Sequence, residues 1–382
     1  CNVTITPSGS SICDGNSVTL VASGNSGTFI WTPATGLNTT TGNTVIASPA
    51  NTITYSVIRE CSNGNTNTAD VIVTVNPLPA AEAGNPISFC SGSSATIGAA
   101  STSGYAYSWT PTTGLNNSTI SNPTVTLINT TSNTLNTTYS VTTTNTATGC
   151  SSTDDVIVTV KPKPFPELVD PSFSPFNNCF NLSGNPAYDL TVNNVSANPS
   201  LITNYILNWG DGTILNPTNA SFPLVHTYNT YGVFQLTLTA TNSFGCTNSV
   251  SYSVINQTNP AVGIEGPPFG STQGCAPSGY WFRLGNYLTN SPGTVYLWDF
   301  GDATLPITWT TPVVIDSIFH IFTTSSCGLP SNEFVVSVSA INSCDTTTAT
   351  VDNINIYKKP IADFDPAPDT ICVGQSIIFN NT

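Results

Sequence analysis

The stretch Trp298-Asp299-Phe300-Gly301-Asp302 has a second, shorter copy in this chain, and the repetition shows how the chain is divided. A shorter copy, Asn208-Trp209-Gly210-Asp211-Gly212, lies about ninety residues earlier. Each copy is followed by a histidine with an aromatic residue two positions later, in His226-Thr227-Tyr228 and in His320-Ile321-Phe322. An internal repeat of this kind indicates a chain built from successive modules of similar structure.

Both copies continue into a run in which apolar and polar residues alternate, Phe234–Asn242 and Phe334–Asn342. A period of two residues is typical of a half-buried β-strand. The tryptophan motif, the downstream histidine and this strand together resemble the PKD module, an Ig-like β-sandwich with the signature W-D-F-G-D-G and a later H-x-Y. The resemblance covers about residues 163–358 and implies two sandwiches there. Ala303 stands where the family has its last glycine.

A second pair of repeats occupies the first part of the chain. Residues 31–38 (WTPATGLN) and 109–116 (WTPTTGLN) differ at a single position. The pair is similar to the Ig-like repeats that occur in tandem, often beside PKD modules, in surface proteins of Bacteroidota of the gliding or adhesin type. The resemblance implies a secreted protein at the cell surface, exported through the outer membrane by the type IX system.

Proline-containing segments separate these units, and short linkers of this type are semi-rigid spacers. No useful 3.6-residue apolar period occurs, so the fold class is all-β, with tandem Ig-like and PKD-like sandwiches in an extended rod. Each module should have about seven strands in two sheets. The predicted modules are Ig-like 1–78 and 79–162, PKD-like 163–258 and 259–359, and the start of a fifth, incomplete PKD-like module at 360–382.

The composition excludes several classes of function. Only 7% of the residues are charged, and the net charge of -14 leaves no basic surface for nucleic acid or for an anionic membrane. The sequence has no run of 18 apolar residues that could span a bilayer. Two strand signals near the end cannot form a stable domain alone, so we expect the protein to continue beyond Thr382 or this piece to pair with another subunit.

The chain has eleven cysteines without C-x-x-C spacing, which indicates disulfides formed in an oxidising compartment. One cysteine precedes the second-strand signal of each module, and another follows the penultimate strand. The first set is Cys13, Cys90, Cys179, Cys275 and Cys372, and the second set is Cys61, Cys150, Cys246 and Cys344. Cys1 and Cys327 belong to neither set.

Two pairings of these cysteines are open. The default places one bridge in each module: Cys13–Cys61, Cys90–Cys150, Cys179–Cys246 and Cys275–Cys344. In a plain Ig strand order, however, the two cysteine-bearing turns lie at opposite ends of the sandwich, and a disulfide tolerates a Cα separation of only about 6 Å. The alternative bridges successive modules: Cys13–Cys150, Cys90–Cys246 and Cys179–Cys344.

Asp299 and Asp302 are the candidate chemical groups of the repeated motif. They could be oxygen ligands for Ca²⁺ or a general acid and base, or they could accept backbone hydrogen bonds in the turn. The shorter copy has Asn208 at the first position, which a catalytic pair would not tolerate. The two histidines occupy equivalent places in different repeats, so we expect each to be packed or turn-bonded. We therefore expect no enzyme and no cofactor other than Ca²⁺.

The tryptophans divide into two groups. Trp31, Trp109, Trp209 and Trp298 occupy one equivalent place in each module, the position of a core residue in an Ig-like sandwich. Trp281 lies outside that pattern and is the candidate for an exposed aromatic contact.

Three hydroxyl residues match the Asp-Ser/Thr sequence at which exported Bacteroidota proteins are O-glycosylated. The resemblance therefore makes Ser317, Thr346 and Thr370 candidate glycosylation sites. A sugar coat would also help to keep a surface with so few charges in solution.

The sequence predicts a structural or adhesive segment of a large extracellular protein or filament, with the modules acting as a disulfide-stabilised stalk. Its partners would be itself, other surface proteins or glycans. One alternative is a set of accessory, carbohydrate-binding modules beside the catalytic domain of a secreted hydrolase. Another is a filament subunit completed by strand exchange.

Overall fold

The chain is all-β, as predicted. The computed structural model describes residues 2–25, 27–61, 64–179, 185–267, 272–361, 364–367 and 378–381. Regular structure in these ranges consists of strands and three single 3-10 turns, Pro199–Leu201, Asn219–Ser221 and Pro330–Asn332. None of the helical segments described is long and apolar enough to cross a membrane. The chain divides into two compact units, Cys1–Lys163 and Pro164–Thr382.

The first unit begins with a sandwich of seven strands in two sheets. One sheet has the order β1-β3-β5 and the other β2-β7-β6-β4. The strands are β1 (Thr4–Thr6), β2 (Ser10–Cys13), β3 (Val18–Ser23), β4 (Gly27–Thr32), β5 (Thr44–Ala47), β6 (Ile53–Cys61) and β7 (Thr66–Asn76). Strand β2 pairs in parallel with β7, so both strands end at the same end of the sandwich.

The second sandwich of this unit has six strands. Its sheets have the orders β8-β13-β12-β10 and β9-β11, and β8 again pairs in parallel with the last strand. The strands are β8 (Ile87–Cys90), β9 (Ser94–Thr96), β10 (Tyr105–Thr110), β11 (Thr124–Thr126), β12 (Leu135–Asn145) and β13 (Ser151–Lys161).

The repeated W-T-P-x-T-G-L-N stretch folds into a clamp around its tryptophan. In the second sandwich the Trp109 indole N–H donates to the Ile120 carbonyl at 2.9 Å. The Tyr139 hydroxyl, from the neighbouring strand, donates to the carbonyl of Thr113 inside the stretch. The first sandwich repeats these bonds, from Trp31 to Gly42 and from Tyr55 to Thr35. Burial raises the pKa of the Tyr139 hydroxyl, which therefore stays protonated as a donor.

The second unit contains the two PKD-like sandwiches. The third sandwich has the sheets β14-β16-β19 and β15-β21-β20-β17-β18. Its strands are β14 (Leu168–Val169), β15 (Asn177–Asn178), β16 (Tyr188–Asn194), β17 (Ile202–Asn208), β18 (Ile214–Leu215), β19 (Leu224–Tyr228), β20 (Gly232–Asn242) and β21 (Thr247–Asn256).

The fourth sandwich has the same plan, with the sheets β22-β24-β27 and β23-β29-β28-β25-β26. Its strands are β22 (Gly263–Glu265), β23 (Gln273–Cys275), β24 (Ser278–Gly285), β25 (Val295–Asp299), β26 (Ile307–Thr310), β27 (Ser317–Phe322), β28 (Phe334–Ile341) and β29 (Thr346–Tyr357). These two sandwiches have eight strands rather than about seven, because the turn after the tryptophan strand returns the chain as a short strand paired with it.

The end of the chain contributes one antiparallel pair, β30 (Phe364–Ala367) with β31 (Ile378–Asn381). Most of the stretch predicted to open a fifth module lies outside the described residues. The module boundaries at 78, 162, 258 and 359 remain a prediction.

Four hydrophobic cores fill the four sandwiches, and each contains one of the repeated tryptophans. The core position predicted for them is confirmed, since Trp31, Trp109, Trp209 and Trp298 are 0–2% exposed.

The tyrosine clamp should contribute measurably to stability. Tyr139→Phe leaves the Thr113 carbonyl without its donor, so we expect the free energy of unfolding to fall by about 1–2 kcal/mol. Tyr55→Phe should cost a similar amount, and the control Tyr357→Phe, at an exposed tyrosine, should cost little. Urea unfolding followed by tryptophan fluorescence measures all three. Equal stability of the three variants would contradict the clamp.

Candidate functional site

The Trp-Asp-Phe-Gly-Asp stretch forms a capped turn at the end of β25. The carboxylate of Asp299 accepts the backbone N–H of Gly301 at 2.9 Å. Asp302 accepts the backbone N–H of Thr304 at 3.1 Å and its hydroxyl at 2.6 Å. Gly301 has a φ of 70°, and a Cβ there would lie 2.6 Å from the carbonyl oxygen of Val335, so the turn requires glycine.

The copy in the third sandwich shows which part of this turn depends on charge. Asn208 stands at the place of Asp299, and its amide oxygen accepts the N–H of Gly210 at 2.9 Å. Asp211 stands at the place of Asp302 and accepts the N–H of Thr213 at 2.9 Å. An amide therefore serves at the first position as well as a carboxylate does. The second position keeps its carboxylate in both copies.

The second carboxylate binds the histidine of the repeat. His320 Nε2 lies 2.7 Å from Asp302 Oδ2, and the ring stacks on Phe300 with centroids 3.8 Å apart. His226 makes the same 2.7 Å contact with Asp211. As expected, both histidines are packed and turn-bonded, each between one carboxylate and aromatic rings.

These contacts change the acidity of the two carboxyl groups. Burial by itself raises the pKa of Asp302, but hydrogen bonds from the Thr304 hydroxyl and from His320 outweigh it and bring that pKa below its usual value. Burial likewise raises the pKa of Asp211, while the Thr213 N–H and His226 bring it below the usual value. Both groups are therefore held as carboxylates by the fold.

The alternative assignment of Asp299 and Asp302 to Ca²⁺ remains a prediction. Both carboxylate oxygens of Asp302 already have protein partners. Within the described ranges, no group of three or more His, Cys, Asp or Glu side chains is placed to hold a metal ion. The arrangement fits a cap for the turn.

The disulfides join successive sandwiches. Cys13 is bonded to Cys150 with a Cα separation of 5.5 Å, and Cys179 to Cys344 with a separation of 5.6 Å. Each bridge joins the cysteine near the start of one sandwich to the hairpin between the last two strands of the next. The default pairing within modules is therefore wrong: these two bridges exclude Cys13–Cys61, Cys90–Cys150, Cys179–Cys246 and Cys275–Cys344.

The length of the last strand explains the correction. Cys13 lies opposite Asn76, at the end of β7, whereas Cys61 precedes the start of β7 at Thr66. Eleven residues of extended strand separate these ends by about 35 Å. Because β2 is parallel to β7, Cys13 lies at the end from which the chain leaves for the next sandwich. A disulfide cannot span the sandwich, but it reaches Cys150 of the neighbour.

The other cysteines fall into three groups. Cys61, Cys90 and Cys246 are also disulfide-bonded. Cys275 and Cys327 are free and exposed, so the predicted disulfide at Cys275 is wrong for this chain. The remaining two, Cys1 and Cys372, lie outside the described residues.

The junction between the third and fourth sandwiches is closed by hydrogen bonds as well as by its disulfide. Thr258 is 5% exposed; its hydroxyl accepts the N–H of Ser291 at 2.9 Å, and its carbonyl accepts the Asn342 side chain at 2.8 Å. Gln257, also buried, accepts the N–H of Ser343 through its side chain at 3.1 Å. The linker is therefore fixed to the sandwich that follows it.

A similar arrangement occurs between the first two sandwiches. The Ser152 hydroxyl donates to the carbonyl of Pro79 at 2.5 Å, and the Asp154 carboxylate accepts the N–H of Ala83 at 2.8 Å.

Sequence reasoning missed these junction contacts. One signal was available: the repeated Ala-x-Asn places Asn242 and Asn342 where their side chains accept the N–H of the hairpin cysteine, at 3.0 and 2.8 Å.

Trp281, the predicted aromatic contact, lies on β24 with 54% of its surface exposed. Its ring is 5.3 Å from that of Phe319 on the paired strand β27. Sequence reasoning did not identify Phe319, because its partnership with Trp281 depends on strand register.

The glycosylation candidates lie in different surroundings. Ser317 begins β27, and its hydroxyl donates to the Asp316 carboxylate at 2.9 Å. Thr346 is exposed at the start of β29. Thr370 lies outside the described residues. Modification at these positions remains a prediction.

The two aspartates of the turn should differ in their contribution to stability. Asp302→Asn removes the charged partner of His320, so we expect the free energy of unfolding to fall by about 1.5–3 kcal/mol at pH 7. Asp299→Asn is the matched control, with an expected change below about 0.5 kcal/mol, because Asn208 already serves at that position. Urea unfolding of the two variants measures the difference.

The contribution of Asp302 should also depend on pH. Its pKa in the folded state lies below the value of about 3.9 expected in the unfolded chain. The stabilisation is therefore complete above about pH 4 and is lost as the pH falls through the folded-state pKa. The stability difference between wild type and Asp302→Asn should shrink in that range. A difference that stays constant with pH would contradict this assignment.

Comparisons with known proteins give one family match and matches to solved structures. The family model for the PKD domain matches residues 182–256, a range that includes strands β16 to β21 of the third sandwich. Among solved structures, the N-terminal four Ig domains of Dscam1 isoform 1.9 align with 94% of this chain and 99% of theirs, at 13% identity and a TM-score of 0.24. The N-terminal eight Ig domains of DSCAM isoform 1.30.30 align with 93% of this chain and 49% of theirs, at 13% identity and a TM-score of 0.28. No curated protein matches the chain. The chain is a tandem array of β-sandwiches, and the third of them matches the PKD domain.

Proposed function

We propose that this chain is a structural or adhesive stalk segment of an extracellular surface protein, built to bear tension. The observation that carries the proposal is the pairing of the cysteines across successive sandwiches. The bridges Cys13–Cys150 and Cys179–Cys344 span 137 and 165 residues of sequence.

Such bridges provide a covalent path past the folded strands. Tension that enters at the beginning of the chain passes from Cys13 to Cys150 without loading the residues between them, across a sequence separation of 137. An extended chain measures up to about 3.5 Å per residue, so the bridge prevents about 480 Å of chain from being pulled out. On the chain-entropy model, closing a loop of this length also stabilises the folded state by about 5 kcal/mol.

The junction contacts support the same role. The buried linker residues Gln257 and Thr258 are bonded to the sandwich that follows them, so the link between neighbours does not depend on the disulfide alone. Where one sandwich is bonded to the next at several points, bending at the junction breaks hydrogen bonds in a buried place, which costs free energy.

The extracellular location rests on the disulfides and on the resemblance of the modules. Disulfide-bonded tandem sandwiches are typical of proteins in oxidising compartments. The sequence resemblance to Bacteroidota surface repeats supports export by the type IX system, and O-glycosylation at the exposed Thr346 belongs to the same proposal. The partners would be further surface proteins or other copies of this chain.

The alternative of accessory modules beside a hydrolase uses the same architecture but needs a ligand-binding face. The fourth sandwich presents a candidate for such a face around Trp281, which is the observation that favours a second function. A filament completed by strand exchange has no specific contact in its favour among the described residues.

The tension-bearing role predicts a large effect of reduction on extension. Pulled from its two ends in a single-molecule force experiment, the oxidised chain should leave the residues inside both bridges folded or unloaded. With a reductant present, the same chain should extend further by on the order of 1,000 Å, from the 137 and 165 residues released.

The control for this experiment is the double variant Cys275→Ser/Cys327→Ser, which removes the two free thiols and should extend like the wild type in both conditions. If the oxidised chain extended to its full contour length, the bridges would not carry the load and the proposed role would be wrong.

The bridging pattern also makes a prediction for Cys275. It ends β23 opposite Tyr357 of the last strand, as Cys13 ends β2 opposite Asn76. In any chain in which a further sandwich of this kind follows, we expect the cysteine of its last hairpin to bond to Cys275. Peptide mapping after alkylation tests this, with Cys327 as the free control. A Cys275 that stays reactive while the new cysteine pairs elsewhere would contradict the pattern.

A further inference from the structure

The outer face of the three-stranded sheet in the fourth sandwich carries an unusual set of side chains. Strand alternation places Trp281 and Arg283 of β24 on the outside, beside Phe319 of β27 and Glu265 of β22. The pairing register aligns them in two rows, Trp281 with Phe319, and Glu265 with Arg283 and Ser317. The two rows are about 7 Å apart along the strands.

The aromatic row is held in place by a glycine. Gly279 lies on the same face of β24, and a Cβ at that position would collide with the ring of Phe319. The Phe319 ring therefore lies over the backbone of Gly279, next to the Trp281 ring 5.3 Å away. Phe319 and Trp281 are 48% and 54% exposed, and their ring planes are inclined at 47°. Together they form an apolar surface open to solvent, which we call the platform.

The second row supplies hydrogen-bonding groups at the edge of this platform. Arg283 Nε donates to Asp316 Oδ2 at 2.9 Å, and one terminal nitrogen lies 3.7 Å from Glu265 Oε2. The side chains of Arg283 and Glu265 remain 59% and 63% exposed, so each keeps donors or acceptors facing solvent. A groove of about 340 Å³ runs along this row between Trp281, Arg283, Glu265 and Ser317.

The third sandwich shows that the fold does not require this surface. The pair Tyr188–Tyr228 in the third sandwich is equivalent to the pair Ser278–Phe322 in the fourth. In this alignment, Thr191 and Val225 occupy the places of Trp281 and Phe319. Asp189 occupies the place of Gly279. The equivalent outer face therefore has neither the aromatic pair nor the glycine, and the sheet forms all the same.

We propose that the Trp281–Phe319 platform and its Arg283–Glu265–Asp316 edge bind a neutral polysaccharide. The apolar face of a pyranose ring packs against exposed aromatic rings, and its hydroxyls both donate and accept, which suits a guanidinium set between carboxylates. The edge carries one positive and two negative groups on a chain of net charge -14, so a polyanion would be repelled. The proposal does not depend on the stalk function.

Affinity electrophoresis of the 382-residue chain tests the proposal, with laminarin or hydroxyethyl cellulose as neutral probes and alginate as the anionic one. The wild type should be retarded by at least one neutral probe and not by alginate. Trp281→Ala and Phe319→Ala should each weaken the interaction by about tenfold or more, the scale of an aromatic hot spot. Gly279→Ala should weaken it as well, because it displaces the Phe319 ring.

The matched control is Thr191→Ala/Val225→Ala, which alters the equivalent face of the third sandwich and should bind like the wild type. Thermal unfolding of every variant separates loss of binding from loss of folding. Three results would overturn the proposal: no retardation by either neutral polysaccharide, equal retardation of wild type and Trp281→Ala, or a loss of self-association as the effect of Trp281→Ala. A hexose found on Ser317 by intact-mass analysis of the native protein would also overturn it, since the platform would then be covered by the chain's own sugar.

Discussion

The short reach of a disulfide, set against the length of the last strand in each sandwich, determines how these modules are joined. A disulfide needs Cα atoms about 6 Å apart, whereas the last strand separates the two cysteine-bearing ends of a sandwich by about 35 Å. The parallel pairing of β2 with β7 and of β15 with β21 puts the early cysteine at the exit end. From there the nearest cysteine in the direction of the chain is in the last hairpin of the next sandwich. Bonding between neighbours is therefore a consequence of strand order.

The chain has few charged residues, and neutral side chains hold many of its junctions and turns. With few ionic groups available, the positions that need a fixed geometry are held by amides and hydroxyls, such as Asn342 at the hairpin and Thr258 in the linker. A buried ion pair would carry a large desolvation cost, which these neutral groups avoid. Three carboxylates are among the exceptions. Asp154 accepts the Ala83 N–H at the first junction, and Asp211 and Asp302 each have a histidine and a threonine as partners. In the two turns, the charge joins the turn to the strand that carries the histidine.

The sequence predicted the fold class, the core tryptophans and the packed histidines, because each depends on local pattern or on comparison between repeats. It could not choose the cysteine pairing, since that choice depends on whether the early strand runs parallel to the last one. Two other features depend on how distant strands align, which the periodicity of the sequence does not determine. They are the extra strand of the PKD-like sandwiches and the linker contacts at Gln257. The Asp299 and Asp302 pair was ambiguous until the bonds of Asn208 showed that an amide fills the first position.

Inner and outer faces of the repeats have diverged to different degrees. Inward positions must fill a core and keep an apolar residue, whereas outward positions are free to change without loss of the sheet. On the outer face of the fourth sandwich, three positions differ together from the third: Gly279, Trp281 and Phe319 replace Asp189, Thr191 and Val225. A glycine inside a strand weakens the strand, so its presence here requires a reason beyond the fold. The position of the Phe319 ring beside Trp281 is such a reason, because the loss of strand stability at Gly279 is accompanied by the formation of an exposed aromatic pair.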